Sequence, residues 1–540
     1  MIKEDFLDII NPLCYHFRKG KSSFRTFFDV SPFFFCRNAL IKGYFLKNSR
    51  FFPLMQRISS ESFQKLFFMC FAFFLITFAY HVLKDLKDTL VVTAPSSGAE
   101  IIPFLKIWVT LPGSLLATLV FSYLAFRYGL EQTAYIFITI LICFFLVFAY
   151  ILHPGGERFC FNEFASSILP FLPEGCEGIA AMIKYWSYAL FYLSAELWST
   201  IAVSLVFWAY ANEITTLQEA KQYYPIYTLV GSASGILAGQ VSHHISKNTI
   251  LSSLESYKSW EDAFIVLILL VSFCGLGTML ILRWISFRYL KRNPKKKQNI
   301  RRGIFQSFHI LANSKHLLCV ATLVLGYNVI MNLAEVLWKD QVHLRYPFPA
   351  DFNAFINQTT FMIGILSTVA SLFVSFLCSQ LKWLHLALIT PFFLFFGSIL
   401  FFTTLSFSNM AFNLFPYYLL SSSSFIAVVT GTILIVMGRT AKYAIFDITK
   451  EMALIPLSRE EKIQGKAAID GIGSRLGKVG ASFLLQGSLI VFGSLSATVP
   501  FAGGFILVII PLMFGAAKTL GKSMDSSNEE SFEQTIAKVG

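Results

Sequence analysis

The sequence predicts an all-α, polytopic membrane protein with twelve transmembrane helices. Three observations predict it. Of the 540 residues 55% are hydrophobic and only 14% charged, whereas soluble domains carry roughly a quarter charged residues. Apolar runs close to the ~20 residues that cross a bilayer recur along the chain. One strongly basic stretch then divides those runs into two sets of six. The 59 phenylalanines suit lipid-facing helix surfaces, with Trp and Tyr at the interfaces.

Taken in order, residues 1–60 are basic and aromatic. Glu4, Asp5 and Asp8 come too early for a signal peptide, so this part reads as a cytoplasmic extension. The first bundle, 61–285, holds apolar runs near 65–84, 104–126, 132–152, 185–211, 223–245 and 262–282. The linker 286–315 carries Arg288, Lys291, Arg292, Lys295, Lys296, Lys297, Arg301 and Arg302 and no acidic residue. The positive-inside rule holds such a loop in the cytoplasm and accounts for the net charge of +13 without a nucleic-acid partner. The second bundle, 316–520, holds runs near 316–338, 354–379, 383–404, 413–438, 467–493 and 499–517, and 521–540 is a cytoplasmic tail. Both termini then lie inside and the loops 153–184 and 246–261 outside. The 6+6 layout is major-facilitator-like, two bundles related by an axis along the membrane normal. Cys160 and Cys176 share one polar loop and would bond if it faces an oxidising compartment. The cysteines show no metal-binding spacing, and no cofactor is implied.

The informative charges lie at membrane depth, where each needs a partner, a proton or water. Lys84-Asp85-Leu86-Lys87-Asp88 closes the first run. It reads either as a snorkelling helix end or as a cationic platform, with Asp88 placed to pair with Lys84 four residues before it. Trp338-Lys339-Asp340 echoes it at the end of the seventh run. Lys106 opens the second, Glu196 lies in the fourth, Glu335 in the seventh with Asn328 and Asn332 on its face, and Arg475 and Lys478 in the eleventh. Glu196 and Glu335 read as permanent structural partners of lysines or as gate and proton sites. Lysine and arginine outnumber the acids of this set, Asp85, Asp88, Glu196, Glu335 and Asp340, so the cavity selects anions, and separated cations suit an extended polyanion such as a polyphosphate. Gly231, Gly235 and Gly239, at fourfold spacing, predict close helix packing. Gly471 to Val479 fails the phosphate-loop pattern, and no hydrolase motif is present, so an ATPase is excluded. A secondary transporter of anions is the reading, with a membrane enzyme or lipid-handling protein as the alternative class.

Lys84 to Ala94 with Gly98-Ala99-Glu100-Ile101-Ile102-Pro103-Phe104-Leu105-Lys106 resembles the nucleotide (ATP/ADP) translocase family of plastids and obligate intracellular bacteria. So do Glu196-Leu197-Trp198, Asn332-Leu333-Ala334-Glu335-Val336, and the block Lys442 to Leu457 that runs on to Asp470. The likeness covers about residues 60–520. It implies nucleotide import across a bacterial inner membrane, chlamydial rather than plastid, by alternating access and without hydrolysis. It also implies transport roles for Lys87, Glu196, Glu335 and a lysine matched by either Lys442 or Lys466. Lys84, Lys87, Lys106 and Lys339, with Arg475 or Lys478, then hold phosphates, while Asp88, Glu196 and Glu335 gate or carry a coupling proton. Lys84, Leu86 and Leu454 stand where the family more often has Arg, Thr and Tyr. Those changes point to a broad set of nucleoside triphosphates, with proton coupling, against strict ATP/ADP exchange.

Overall fold

The computed structural model describes residues 60–155, 159–247, 259–290, 314–414, 417–457, 461, 465, 469 and 473–539. Residues 1–65 and 66–540 separate into two units, and the architecture below is that of the second. Among the described residues there is no strand, and twelve long helices follow one another. They are α1 (Ser60–Val92), α2 (Ile101–Tyr128), α3 (Leu130–Leu152), α4 (Trp186–Ile214), α5 (Leu217–Ser246) and α6 (Trp260–Tyr289). Then come α7 (Lys315–Arg345), α8 (Pro349–Gln380), α9 (Trp383–Leu414), α10 (Tyr417–Ala441), α11 (Ser474–Phe492) and α12 (Leu495–Val539). α10 continues through a wider turn, Lys442–Phe446, into Asp447–Ala453.

Ten of the described helices are long and apolar enough to cross a membrane. The two others are α5, which starts on a Thr216/Glu219 capping box, and α11, which carries Arg475 and Lys478. The helices overrun the predicted apolar runs because charged residues at their ends still find partners. α1 is the telling case: it does not stop near residue 84 but runs through the charged motif to Val92. Thr89 Oγ returns its hydrogen to the Asp85 carbonyl at 2.8 Å, and Thr93 Oγ to that of Thr89 at 2.8 Å, so polar residues stay inside the helix. Ser97 Oγ caps the freed carbonyl of Val91 at 2.8 Å, and the turn passes Ser96 at φ 58°.

Residues 66–540 form one unit by contacts. Within it α2–α6 pack on one another and α7–α12 do likewise, and these two sets, called bundles below, meet through α5 with α8 and through α2 with α11. α1 packs on the first set through Phe73 on Phe207. Shifting the chain by six helices converts one of these seams into the other, as a two-fold between parallel repeats requires. Glycine lets the α5–α8 seam close. A Cβ on Gly239 would stand 2.6 Å from the Phe361 nitrogen and 2.7 Å from the Asn357 oxygen, and one on Gly364 would stand 2.7 Å from the Ile236 nitrogen. Gly239 and Gly235 therefore pack against the opposite bundle, Gly235 also against His81, and Gly231 against Phe73 of its own bundle. α7, α1 and α10 are the most enclosed of the ten apolar helices, with 72%, 61% and 56% of their windows buried. These three carry Lys84, Asp85, Lys87, Asp88, Glu335, Lys339 and Arg439. No disulfide joins Cys160 to Cys176.

Candidate functional site

Helix geometry sets out the site. On α1, Tyr80, Lys84 and Lys87 follow at i, i+4 and i+7 and share a face, with Asp85 and Asp88 beside it. α7 brings Glu335 and Lys339 one turn apart, α4 brings Glu196, and α10 brings Arg439.

These groups form a continuous chain of alternating charge. Glu196 Oε1 meets Lys87 Nζ at 3.0 Å, and Lys87 meets Asp88 Oδ1 at 3.0 Å. Asp88 Oδ2 accepts from Lys339 Nζ at 2.7 Å, which also donates to Glu335 Oε1 at 2.7 Å. Glu335 Oε2 accepts from Arg439 Nη2 at 2.7 Å. Both oxygens of Asp88 and of Glu335 are thus used. Lys87 also lies over the Tyr192 ring, 3.7 Å from its centre. Asp88, Lys87 and Lys339 are only 1%, 4% and 3% exposed, a burial that charges tolerate only when paired and hydrogen-bonded. The snorkelling reading of the motif is therefore wrong.

The relay crosses the molecule. Glu196, Lys87 and Asp88 belong to the first bundle, Lys339, Glu335 and Arg439 to the second, and Asp88–Lys339 joins them. Lys84 pairs with Asp85 at 3.3 Å instead of with Asp88, and the other Asp85 oxygen accepts from Thr360 Oγ at 2.7 Å. A narrow crevice lies here, bounded by Lys84, Asp85, Asp88, Glu335, Lys339 and Arg439. Toward the end where α1 finishes, a neutral seam continues the closure. Asn353 Nδ2 donates to Thr89 Oγ at 2.8 Å, and its Oδ1 accepts from Asn357 at 2.6 Å and Ser246 at 2.8 Å. Lys247 and Asp351 pair at 2.6 Å outside it.

Three cations and three carboxylates balance within the relay, and Lys106 tips the balance. It sits in a wide turn of α2, Leu105–Thr110, of the kind that recurs at functional sites. Its ammonium donates at 2.8 Å to the neutral Asn332 Oδ1 and forms no ion pair among the described residues, with Glu335 and Asp88 within electrostatic reach. Lys478 is exposed and within electrostatic reach of Glu196. The charges that bound the cleft balance, three against three, and Lys106 and Lys478 add positive charge around it.

Of the sequence candidates, Lys87, Asp88, Glu196, Glu335 and Lys339 share the relay, with Lys84 and Lys106 beside it. Lys442 instead pairs with Asp447 at 3.0 Å on its own segment. Arg475 is half-buried on α11, with no ion pair among the described residues. Lys466 lies outside the described residues. Asp340 does not repeat the role of Asp88: it accepts from Gln341 at 3.3 Å and faces Glu100. The sequence reading missed Arg439, which ends an apolar run and looked like a helix terminus, and missed the Asn353, Asn357 and Thr360 row of α8. The row's spacing, 353-357-360, matches one helix face and was the available signal.

Two helix bundles meeting over an ion-paired cleft give this chain a major-facilitator-like fold. Solved structures of that type share the fold: a bacterial homologue of the iron transporter ferroportin in an inward-facing state (TM-score 0.52, 13% identical, covering 85% of this chain and 99% of that one) and a D-xylose-proton symporter (TM-score 0.51, 12% identical, covering 85% and 97%). The family model described as TLC ATP/ADP transporter matches residues 46–524, and this chain belongs to that family. Relatives include ADP,ATP carrier protein 2 of Chlamydia pneumoniae, 34% identical over 92% of each chain. ADP,ATP carrier protein 1, chloroplastic, of Arabidopsis thaliana is 33% identical, with 86% of this chain and 75% of that one covered.

Proposed function

We propose that the protein moves nucleotides across a bacterial inner membrane, importing ATP and other nucleoside triphosphates by alternating access without hydrolysing them. Both termini are cytoplasmic in this reading, so the end where α1 finishes faces outward. Phosphate oxygens replace carboxylates on Lys87, Lys339 and Arg439, with Lys84 and Lys106 adding charge. Each charge-assisted bond so gained contributes about 1.5–3 kcal/mol. The displaced Asp88, Glu196 and Glu335 turn to other cations or take up protons. Loss of the Asp88–Lys339 pair frees the bundles to rock, which couples binding to reorientation. The observation that carries the proposal is a relay that balances its own charges when empty, beside a Lys106 that forms no ion pair among the described residues.

A second reading, ATP-for-ADP exchange, is favoured by the same pair. An empty carrier tied across its bundles by buried ions reorients slowly and waits for a returning nucleotide. Vesicles preloaded with ADP separate the two: accelerated ATP uptake supports exchange, and uptake into empty vesicles driven by an imposed pH gradient supports proton coupling. Absence of saturable ATP uptake under both conditions removes the nucleotide reading. Competition by GTP, CTP and UTP sets the breadth of substrate.

A further inference from the structure

We infer that Tyr80 of α1 and Tyr443 of the wide turn after α10 receive the nucleobase, one ring from each bundle. The assignment rests on the nucleotide reading above and names the part of the site that reads the base.

Tyr80 shares its helix face with Lys84 and Lys87. It precedes Lys87 by seven residues, so the ring sits ~10 Å along the axis from the phosphate-binding ammonium, a separation on the scale of base to outer phosphates. Tyr443 follows Arg439 by four residues, one turn away on the other side of the cleft. The two phenols lie within electrostatic reach of one another and of Arg439. Both rings thus stand within reach of the relay's charges.

Theirs are also the less engaged rings near the relay, since Trp338, which lines the cleft, is buried and packs on Phe355 with centres 6.3 Å apart. Tyr192 is fully buried with Lys87 on its face. Tyr327 is buried and stacked on Phe446, with centres 5.4 Å apart, and its hydroxyl donates to the Gly438 carbonyl. Phe73, Phe207, Trp208, Tyr224 and Tyr227 pack on one another inside the first bundle. Tyr80, by contrast, is half-buried and among the described residues has a ring neighbour only in His81, next to it in the chain. Tyr443 is 38% exposed and meets no aromatic ring among the described residues; the ammonium of Lys442 stands 5.1 Å from its centre. A ring on each bundle lets a flat base bridge them while its phosphates part Asp88 from Lys339. Stacking accepts any base because each has a π-face, which fits a carrier of several nucleotides.

The test uses the full-length protein in lipid nanodiscs, with labelled ATP displaced by unlabelled ATP or by inorganic tripolyphosphate. Tyr80→Ala and Tyr443→Ala are each expected to weaken ATP about tenfold, the scale of one lost base stack, while the inhibition constant of tripolyphosphate stays unchanged. The Phe variants keep wild-type ATP affinity, since the ring and not the hydroxyl carries the contact. Wild-type ATP affinity in both Ala variants overturns the assignment, and so does a parallel loss for ATP and tripolyphosphate, which marks a structural role. Wild-type protein that binds tripolyphosphate but gains nothing from the nucleoside also overturns it. Wild-type protein that binds neither ligand removes the nucleotide reading itself.

Discussion

Asp88 and Lys339 hold each other at 2.7 Å across the two bundles, and each keeps a second partner in its own bundle, Lys87 and Glu335. In the proposed cycle the substrate breaks this pair to part the bundles. Removing one member of a buried pair leaves its partner uncompensated, at a cost of about 3–5 kcal/mol. Lys339→Gln is therefore expected to lower the thermal unfolding temperature sharply, and Asp88→Asn likewise. The double variant Asp88→Asn with Lys339→Gln recovers part of that stability, because coupled neighbours are not additive, yet it does not restore uptake. A double variant as unstable as the sum of the singles contradicts the coupling.

Arg439 anchors the far end of the relay through Glu335. Arg439→Ala is expected to reduce ATP uptake by about a hundredfold, since a truncated partner of a buried charge pair costs roughly 2–5 kcal/mol. Arg439→Lys recovers part of it, as a point charge without the guanidinium's planar fork. Uptake rates at matched protein levels in the membrane check this, and an unimpaired Arg439→Ala would remove Arg439 from the site.

Glu100, in the turn between α1 and α2, is half-buried beside Glu177, and burial with that neighbouring carboxylate raises its pKa above the ordinary glutamate value. A raised carboxyl pKa means the folded state holds the proton more tightly than the unfolded one. Its stabilising effect is complete below the unfolded pKa and is lost as pH rises through the folded one. Glu100→Gln should accordingly raise thermal stability at neutral pH and leave it nearly unchanged in acid. Equal shifts at both pH values count against this origin.

Most of the fold was legible because a bilayer admits few solutions: apolar runs of spanning length, split by one basic loop, are enough to predict two bundles. Helix ends were not legible. Hydropathy stops at the first charge, so α1 appeared to end near Lys84, whereas paired charges let the helix continue to Val92. The same error hid Arg439, whose partner Glu335 lies 104 residues away. Lys87, Glu196 and Glu335 were found because a charge amid hydrocarbon is conspicuous. Their partners were not, since pairing across bundles is a tertiary fact: the i, i+4 rule pointed Lys84 to Asp88, and the structure gives Asp88 to Lys339 instead. Thr360, Asn353 and Asn357 are polar but neutral, and neutral residues on a helix face raise no such alarm.

Lys87 touches more of the site than any single neighbour does, with Asp88, Glu196 and the Tyr192 ring around one ammonium. Uptake of labelled ATP by proteoliposomes carrying wild-type protein or Lys87→Ala, with insertion verified for both, addresses the phosphate site itself. Saturable uptake by the wild type, lost in Lys87→Ala and competed by inorganic tripolyphosphate only in the wild type, is the result expected. Wild-type uptake rates in Lys87→Ala would show that the phosphates bind elsewhere and that the relay only ties the bundles together.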